Sequence, residues 1–273
     1  MKKLLVILLA LAMVVAFAAC SDEAANNENN DDTNTEDDWA YIQDKGVLKI
    51  GITEYAPMNY YDEDGKLIGF DTEYAEALCA ELGITPEFIV IEWDSKELEL
   101  SGKKIDCIWN GLTVTEDRRA NMAFTDSYLT NEQAVVIRVE DAEKYTDLAS
   151  LADARMVAES GSAGETAILT DIGDANYTPM TAQSDALLEI KSGTADAAVI
   201  DITMATAMTG EGTDYADLMI VTGIDMMDEE YAIGLRLGST AVEQFNTATK
   251  DLIEDGTIAA LAEKYELSDL LIK

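Results

Sequence analysis

One loop of this sequence combines residues that are suited to binding a small carboxylate. The segment Asn110–Arg119 reads NGLTVTEDRR and follows an apolar stretch that is typical of a buried strand. Gly111 would let the backbone approach a ligand closely, and Thr113 offers a hydroxyl. Thr115 could cap a short helix that carries Arg118, and both helix N-terminal amides and a guanidinium bind carboxylates. An isolated arginine more often pairs with a surface acid, so that alternative stays open.

Two further strand ends carry polar groups. After the predicted strand 155–158 the sequence reads ESGSAGE, and small residues that open a helix can form an anion-binding turn. This turn contributes Glu159, Ser162 and Ala163 as candidate site residues. Asp201 ends the predicted strand 197–200, where its carboxylate could hold an ammonium group. The alternative is that Asp201 only caps the helix that follows.

Two aromatic residues lie in early loops of similar position. Tyr55 follows the strand 47–52, and Trp93 follows the strand 87–91. Together they could sandwich the side chain of a ligand. Packing in the core or at its rim is the alternative for each of them.

The composition excludes several classes of function. The chain has no histidine, which rules out Ser-His-Asp and Cys-His nucleophile systems and histidine-ligated zinc. A formal net charge of −36 argues against nucleic-acid binding, because phosphate contacts need a basic face. We therefore expect a binding protein with no catalytic residues, no metal and no cofactor. An enzyme that works with carboxylates alone remains the alternative.

Strand and helix patterns alternate along the chain. Apolar runs that predict buried strands are separated by stretches with helical spacing, such as 71–82, which ends at Gly83. This alternation favours an α/β fold with mostly parallel sheets. A quasi-repeat between 100–108 and 190–198 indicates two similar lobes, with a ligand cleft between them.

The first residues predict export and anchoring. Lys2 and Lys3 precede an apolar run, 4–19, that is short for a membrane span and ends in small residues before Cys20. This predicts a lipoprotein signal peptide at 1–19, with Cys20 as the lipidated residue and 20–38 as a polar tether. Ordinary cleavage that leaves Cys20 unmodified is the alternative. Of the other cysteines, Cys79 and Cys107 are expected to be buried free thiols, and a disulfide between them stays open.

Together these segments resemble the polar amino acid solute-binding proteins of ABC importers, which have the type II periplasmic-binding fold. The likeness extends from about Tyr41 to Tyr265. The matching segments, in chain order, are 51–57, 64–71, 101–106, 110–118, 124–128, 160–162 and 195–197 with Asp201.

The resemblance implies roles for the candidate residues. The α-carboxylate of an amino acid would be bound by Arg118 and its α-ammonium by Asp201. Further contacts would come from the rest of the family site, which corresponds to Tyr55, Trp93, Asn110, Gly111, Thr113, Glu159, Ser162 and Ala163. The family's hinge strands fall near Tyr128–Glu132 and Met227–Tyr231. This implies a first lobe of residues 39–130 plus 230–273 and a second lobe of residues 131–229.

The resemblance also implies partners and a location. The chain would be a monomer on the outer face of the cell membrane, held there by its lipid, and would deliver a free amino acid to ABC importer permease subunits. Acidic residues at Glu54 and Glu159 favour a cationic side chain on the ligand, while a neutral polar ligand such as glutamine stays open. A dehydratase-like enzyme and an amino acid sensor are the alternative functions.

Overall fold

Two large sheets organise the part of the chain that the computed structural model describes, which is residues 37–174, 176–224, 226 and 228–272. The predicted signal peptide, Cys20 and nearly all of the predicted tether lie outside the described residues.

The first sheet has five strands in the order β4-β1-β5-β13-β6. Its members are β1 (Val47–Ile52), β4 (Thr85–Val90), β5 (Cys107–Ile108), β6 (Met122–Phe124) and β13 (Gly234–Arg236). The pairs formed by β1 with β4 and β5 are parallel, and those of β13 are antiparallel. Between β1 and α2 (Phe70–Leu82) the chain forms a short antiparallel hairpin of β2 (Tyr60–Tyr61) and β3 (Leu67–Ile68).

The second sheet has the order β11-β7-β10-β8-β9, and β12 pairs with another part of β7. Its members are β7 (Leu129–Arg138), β8 (Met156–Glu159), β9 (Tyr177–Met180), β10 (Ala197–Asp201), β11 (Leu218–Ile220) and β12 (Asp228–Tyr231). Strand β8 runs parallel to β9 and β10, whereas β7 is antiparallel to each of its neighbours. The expected α/β class is confirmed, but both sheets are mixed, because β13 in the first sheet and β7 in the second run antiparallel to their neighbours.

Helices cover the sheets and connect the strands. In chain order they are α1 (Asp38–Lys45), α2 (Phe70–Leu82), α3 (Lys96–Ser101), α4 (Glu116–Arg119), α5 (Ala163–Ala167), α6 (Gln183–Ser192), α7 (Ile202–Met208), α8 (Ala241–Glu254) and α9 (Thr257–Lys264). Their ends follow the sequence signals: Gly83 closes α2 in the left-handed conformation, and the Thr115 hydroxyl caps α4. No helix within the described ranges is long and apolar enough to cross a membrane.

The chain passes between the sheets through two paired segments. Residues Leu129–Glu132 of β7 pair with Asp228–Tyr231 of β12, in antiparallel register. The apolar run 231–235 is continuous and so predicts a single strand, but that prediction is wrong. Tyr231 pairs with Leu129, whereas Gly234 pairs with Ile108 in the first sheet, so the two ends of the run belong to different sheets. The hinge strands expected near 128–132 and 227–231 lie in these segments, apart from Met227, which is not described.

The core of the described chain follows the apolar positions of the strands and of α2. Tyr74 packs edge-on against Trp109 with ring centroids 4.7 Å apart. Cys79 and Cys107 are both buried and free, as expected, so this part of the chain is held by packing rather than by a disulfide.

Candidate ligand-binding site

A small cavity collects the polar groups at the strand ends of both sheets. Nine of the ten predicted binding residues line it, together with Gln183, which the sequence analysis missed. The nine are Trp93, Asn110, Gly111, Thr113, Arg118, Glu159, Ser162, Ala163 and Asp201. Its free volume of about 10 Å³ is close to what one water molecule needs, so the two sides are nearly closed on each other.

Arg118 enters the cavity from the first sheet's side. Its helix begins where the Thr115 hydroxyl accepts a hydrogen bond from the Arg118 amide at 3.1 Å. The guanidinium is buried and donates to two backbone carbonyls, Thr113 O at 2.6 Å and Gly161 O at 3.2 Å. No carboxylate of the described chain forms an ion pair with it, so a ligand carboxylate would be its first anionic partner.

Asp201 enters from the second sheet's side and is held by three side-chain amides. Asn131 Nδ2 and Gln133 Nε2 donate to its Oδ1 at 2.8 and 2.7 Å, and Gln183 Nε2 donates to its Oδ2. Burial raises the pKa of this carboxyl, and the amide donors oppose that rise. The carboxylate makes no capping bond to the helix that follows, so it is not used as an N-cap.

Glu159 is the least satisfied group in the cavity. Its side chain is 2 % exposed, and its Oε1 has no hydrogen-bond partner among the described residues. Burial, followed by the charge of Asp201, raises the pKa of this carboxyl to about 8, while Lys96 and Arg118 pull it down. An unpaired buried carboxyl oxygen is costly, which makes Glu159 a candidate to receive a donor from a ligand. Glu54, the other acid noted in the sequence, is exposed.

Lys96 is a charged neighbour of the cavity that sequence reasoning missed. Its side chain is 4 % exposed, and its Nζ donates to Gly161 O at 2.8 Å and to Trp93 O at 3.2 Å. The ammonium lies 4.8 Å from the centre of the Trp93 ring. Burial, together with the charge of Arg118, lowers its pKa to about 8. The surrounding sequence, KELELS, gives no sign of this, because lysines in charged helices are normally solvated.

Glu229 and two amides connect the cavity to the paired segments between the sheets. Its Oε2 accepts from Thr113 Oγ1 at 3.1 Å, from Asn131 Nδ2 at 3.0 Å and from Gln133 Nε2 at 2.9 Å. Burial and the nearby Asp201 raise the pKa of Glu229. The sequence does contain a pattern that could have identified these two amides. Asn131 and Gln133 are two residues apart in an apolar strand, so their side chains lie on the same face of the sheet.

The loop that carries Gly111 is supported from behind by buried polar groups. Asp71 Oδ2 accepts from the Gly111 amide at 2.7 Å and from the Tyr128 hydroxyl at 2.9 Å. Burial raises the pKa of Asp71 to about 7, against the effect of these donors. The side chain of Asn110 binds both Thr53 N and Thr53 O, each at 3.0 Å, so it ties two loops together.

Tyr55 is the predicted residue that does not line the cavity. Its ring lies under Gly111, where an added Cβ would stand 2.5 Å from the Tyr55 Cε1 atom. Its hydroxyl is hydrogen-bonded to the Tyr231 hydroxyl at 2.7 Å and to Thr203 Oγ1. Of the two aromatics expected to flank a ligand, the structure places only Trp93 at the cavity wall.

A larger cavity of about 600 Å³ adjoins the small one and shares Arg118 and Ala163 with it. Its lining includes Lys96, Gly161 and Glu229. The small cavity thus leads into a space that could hold the remainder of a longer ligand.

Comparison with known proteins places this site in context. A model of the bacterial extracellular solute-binding proteins, family 3, matches residues 48–268. The chain is 31 % identical to the L-cystine-binding protein TcyA of Bacillus subtilis over 236 residues, which are 84 % of each chain. It is 28 % identical to the L-arginine-binding protein of Pseudomonas aeruginosa, over 80 % of this chain and 87 % of that one.

Solved structures show the same fold. One is an ABC uptake transporter substrate-binding protein of Streptococcus pneumoniae with bound histidine, at a TM-score of 0.79 and 28 % identity, over 87 % of this chain and 99 % of that one. Another is an ancestral amino acid-binding protein described as a precursor of cyclohexadienyl dehydratase, at a TM-score of 0.75 and 28 % identity, over 83 % of this chain and 98 % of that one.

Proposed function

The chain belongs to family 3 of the bacterial extracellular solute-binding proteins, and we propose that it captures a free amino acid outside the cytoplasm and delivers it to an ABC importer. The relatives are named for L-cystine and L-arginine, and a solved neighbour holds histidine. These names support an amino acid with a polar or charged side chain as the ligand.

One observation carries the proposal: a buried guanidinium on α4 and a buried carboxylate at the end of β10 line one cavity. We assign the α-carboxylate of the ligand to Arg118, where it would replace or join the two carbonyls that the guanidinium now contacts. The α-ammonium is assigned to Asp201, whose amide donors hold the carboxylate in place. Desolvated charges are costly unless paired, so a ligand that lacks either charge is selected against.

Binding in this scheme includes a hinge motion. The small cavity has too little volume for an amino acid, so its two sides must separate for entry and close again afterwards. The paired segments Leu129–Glu132 and Asp228–Tyr231 are the proposed hinge, because the chain crosses between the sheets beside them. They separate the proposed lobes, 39–130 plus 230–273 and 131–229.

Anchoring is a separate part of the proposal. The sequence of residues 1–38 supports cleavage before Cys20 and lipidation of that cysteine, which would hold a monomeric binding protein at the outer face of the membrane. Mass spectrometry of the N-terminal peptide from membrane fractions tests it. Release of Cys20→Ala into the medium is expected, and an unmodified Cys20 in wild type would contradict the assignment.

Titration calorimetry tests ligand capture. The probes are the twenty protein amino acids and L-cystine, and at least one should bind with a Kd below a millimolar. Arg118→Ala should abolish that binding, while Arg119→Ala, an exposed arginine on the same helix, should leave it unchanged. Absence of binding to every probe, or normal binding by Arg118→Ala, would overturn the proposed function.

An enzymatic function has one observation in its favour. Glu159 is a buried carboxyl whose raised pKa, about 8, suits proton transfer at neutral pH, and one solved neighbour is described as the precursor of a dehydratase. Incubating the protein with each bound amino acid and following the ligand by NMR separates the two functions. We expect the ligand to remain unchanged, and turnover that Glu159→Gln abolishes would establish the enzymatic alternative.

A further inference from the structure

Asp201 and Glu229 are two carboxyl groups that share the same two hydrogen-bond donors. Asn131 Nδ2 donates to Asp201 Oδ1 at 2.8 Å and to Glu229 Oε2 at 3.0 Å. Gln133 Nε2 donates to the same two oxygens at 2.7 and 2.9 Å. Because each amino group has two hydrogens, it can bridge both acids at once. The two oxygens therefore lie within about 6 Å of each other, close enough for each negative charge to oppose the ionisation of the other group.

The hydrogen-bond donors around these two acids are neutral. Within the described ranges neither acid forms an ion pair. Besides the shared amides, the Thr113 hydroxyl donates to Glu229 at 3.1 Å and the Gln183 side-chain amide donates to Asp201. Burial raises the pKa of Asp201, and burial together with the charge of Asp201 raises the pKa of Glu229. Two negative charges placed here without a cation are costly, so we expect the pair to retain one proton in the empty site.

We infer that Asp201 and Glu229 act as one acid pair, which holds a proton in the empty site and releases it when the α-ammonium of an amino acid binds. The inference rests on the proposed function, since it needs the ligand ammonium to lie at Asp201. The ammonium supplies the missing positive charge. The O–H bond of the protonated carboxyl group then breaks, its electron pair stays on the oxygen and the proton passes to solvent. Glu229 is in this sense a positioning residue, because it acts on the ammonium through Asp201 and the two amides.

Glu229 also gives the pair access to solvent. Its side chain is half-buried, and it lines both the cavity of about 600 Å³ and a wider one of about 790 Å³. The other ionisable residues that line the wider cavity are at least partly exposed, and they are Glu116, Arg119, Glu132, Asp228 and Glu230. Water therefore reaches Glu229 while the small cavity is closed, and it can carry the proton away.

Other ionisable groups face Asp201 without sharing its donors. Arg118 and Glu159 line the same small cavity, and the guanidinium stays protonated. The hydroxyls of Tyr55 and Tyr231 lie near this carboxyl group, and burial raises the pKa of each well above its usual range, so both stay neutral. Glu159 is therefore the other ligand-facing carboxyl group that can exchange a proton near neutral pH, because burial raises its pKa to about 8.

The remaining groups near Glu229 differ from the pair in exposure or in pKa. Lys96 lines the 600 Å³ cavity, and burial lowers its pKa to about 8, so it is mostly protonated below pH 7.5. The acids on the same lining are at least partly exposed, and they are Asp94, Glu97, Asp117 and Asp171. Asp71, whose pKa burial raises to about 7, lies behind Gly111. A test of the pair must therefore separate it from Glu159 and Asp71.

Titration calorimetry of the wild-type protein tests the inference. The probes are L-cystine and the protein amino acids except histidine, which itself titrates in this range, and each is measured from pH 5.5 to 7.5 in phosphate and in imidazole. The two buffers have different ionisation enthalpies, so the difference between the measured heats gives the number of protons released. We expect a bound probe to release about 0.5–1 proton at the pH of greatest release, and its affinity to fall about three- to tenfold per pH unit as the pH falls there, because protons compete with the ammonium.

The outcomes distinguish the inference from the proposed function. Binding with no proton release and a Kd that does not change with pH would overturn the inference and leave the proposed function intact. Binding of none of these probes would overturn both.

Variants assign the proton to the pair. Glu229→Gln should reduce the release to below about 0.2 proton and change the Kd less than about twofold between pH 5.5 and 7.5. Glu230→Gln, an exposed acid on the same strand, is the matched control and should release as many protons as the wild type. Glu159→Gln and Asp71→Asn should both retain the release.

A merely structural role for Glu229 predicts a different result. Glu229→Gln would then weaken binding by the same factor at every pH and leave the proton release unchanged, which would contradict the inference. Loss of the release in Glu159→Gln or Asp71→Asn, with its retention in Glu229→Gln, would assign the proton elsewhere and overturn the inference too. If Glu229→Gln does not fold, Asp201→Asn removes the other member of the pair and should abolish the release as well.

Discussion

The two sides of the cavity hold their charges by different means. On the cationic side, Lys96 and Arg118 each donate to one backbone carbonyl of their own half, Trp93 O and Thr113 O, and both donate to Gly161 O in the facing half. On the acidic side the two carboxyl groups differ in their hydrogen bonding. Asp201 accepts from three side-chain amides, while Glu159 has one oxygen without a hydrogen-bond partner. Each cation therefore depends on closure for one of its two carbonyl contacts, whereas Asp201 is held by amides of its own half.

This difference suggests a division of labour. Contacts that cross between the halves, from Lys96 and Arg118 to Gly161, are lost when the sides separate, so they report closure. Contacts within one half, such as Gln133 and Gln183 on Asp201, persist in the open form and keep the carboxylate ready for an ammonium. The largest mutational effects should accordingly come from the cationic side.

Arg118→Ala is expected to have the largest effect, a loss of affinity of about 100-fold or more. Truncating one partner of a buried hydrogen-bonded charge pair costs about 2–5 kcal/mol, and 1.4 kcal/mol is a factor of ten. This variant loses both the ligand contact and the bond to Gly161. Titration calorimetry measures the effect, with Arg119→Ala as control. A loss of affinity below tenfold would contradict the view that the largest mutational effects come from the cationic side.

Gly111→Ala should be the next largest, lowering the free energy of unfolding by about 2–4 kcal/mol. The left-handed backbone accounts for about 1 kcal/mol, and the 2.5 Å approach to Tyr55 adds an overpacking cost of about 1–3 kcal/mol. Gly65→Ala measures the backbone cost without the steric cost, because Gly65 has a φ of +76° and no atom lies within 4 Å of an added Cβ. Urea denaturation should show a loss of only about 1 kcal/mol for that control. Equal losses of unfolding free energy in the two variants would mean that the Tyr55 ring moves aside at no cost.

Asp71→Asn tests the buried support behind the same loop through the pH dependence of stability. The pKa of Asp71 is raised by burial from 3.8 to about 7 in the folded protein, so the folded state binds more protons than the unfolded state in this interval. Its contribution is fully present below about pH 4 and is lost as the pH rises through 7. The wild type should therefore lose about 1–3 kcal/mol more than Asp71→Asn between pH 5 and pH 8.

Glu159, Asp201 and Glu229 act in the same direction as Asp71, so the difference between wild type and variant isolates this one group. Chemical denaturation at several pH values measures it, and the exposed Asp214→Asn serves as control. Parallel pH profiles for wild type and Asp71→Asn would show that Asp71 is not the carboxyl that titrates.

Asp201→Asn should have the smallest effect, a loss of affinity of about tenfold. The remaining oxygen of the neutral side chain can still accept a hydrogen bond from the ligand ammonium, so the variant loses the charge and one acceptor for the neighbouring amides. Asp214→Asn is the control here too. A loss as large as that of Arg118→Ala would show that the acidic side contributes equally, and an unchanged affinity would remove Asp201 from the ligand site.

Much of the fold could be predicted from local patterns. Strands β1, β8 and β10 and helix α2 lie where apolar spacing places them, within one residue of the expected bounds. Strands β2, β3, β6, β11 and β12 had no sufficient local signal. The partners of β6, β11 and β12 are distant in sequence, so only the tertiary fold defines these three strands.

The candidate site divides in the same way. Loop composition and the family resemblance together predicted Arg118, Asp201 and seven other residues that line the cavity, because polar residues after buried strands meet at a sheet edge. Gln183, Lys96 and Glu229 were not predicted. Their sequence surroundings look like ordinary helix or surface segments, and they join the site through contacts with other segments of the chain.

By itself, then, the sequence determined the α/β class, the absence of histidine chemistry and the two strand-end charges, since these follow from composition and local spacing. Only the tertiary structure decided that Tyr55 lies beneath Gly111, that Glu159 keeps an unpaired oxygen and that Lys96 is buried beside it. The physical reason is that desolvation and hydrogen-bond satisfaction depend on what packs against a side chain, and here those neighbours come from segments far apart in the chain.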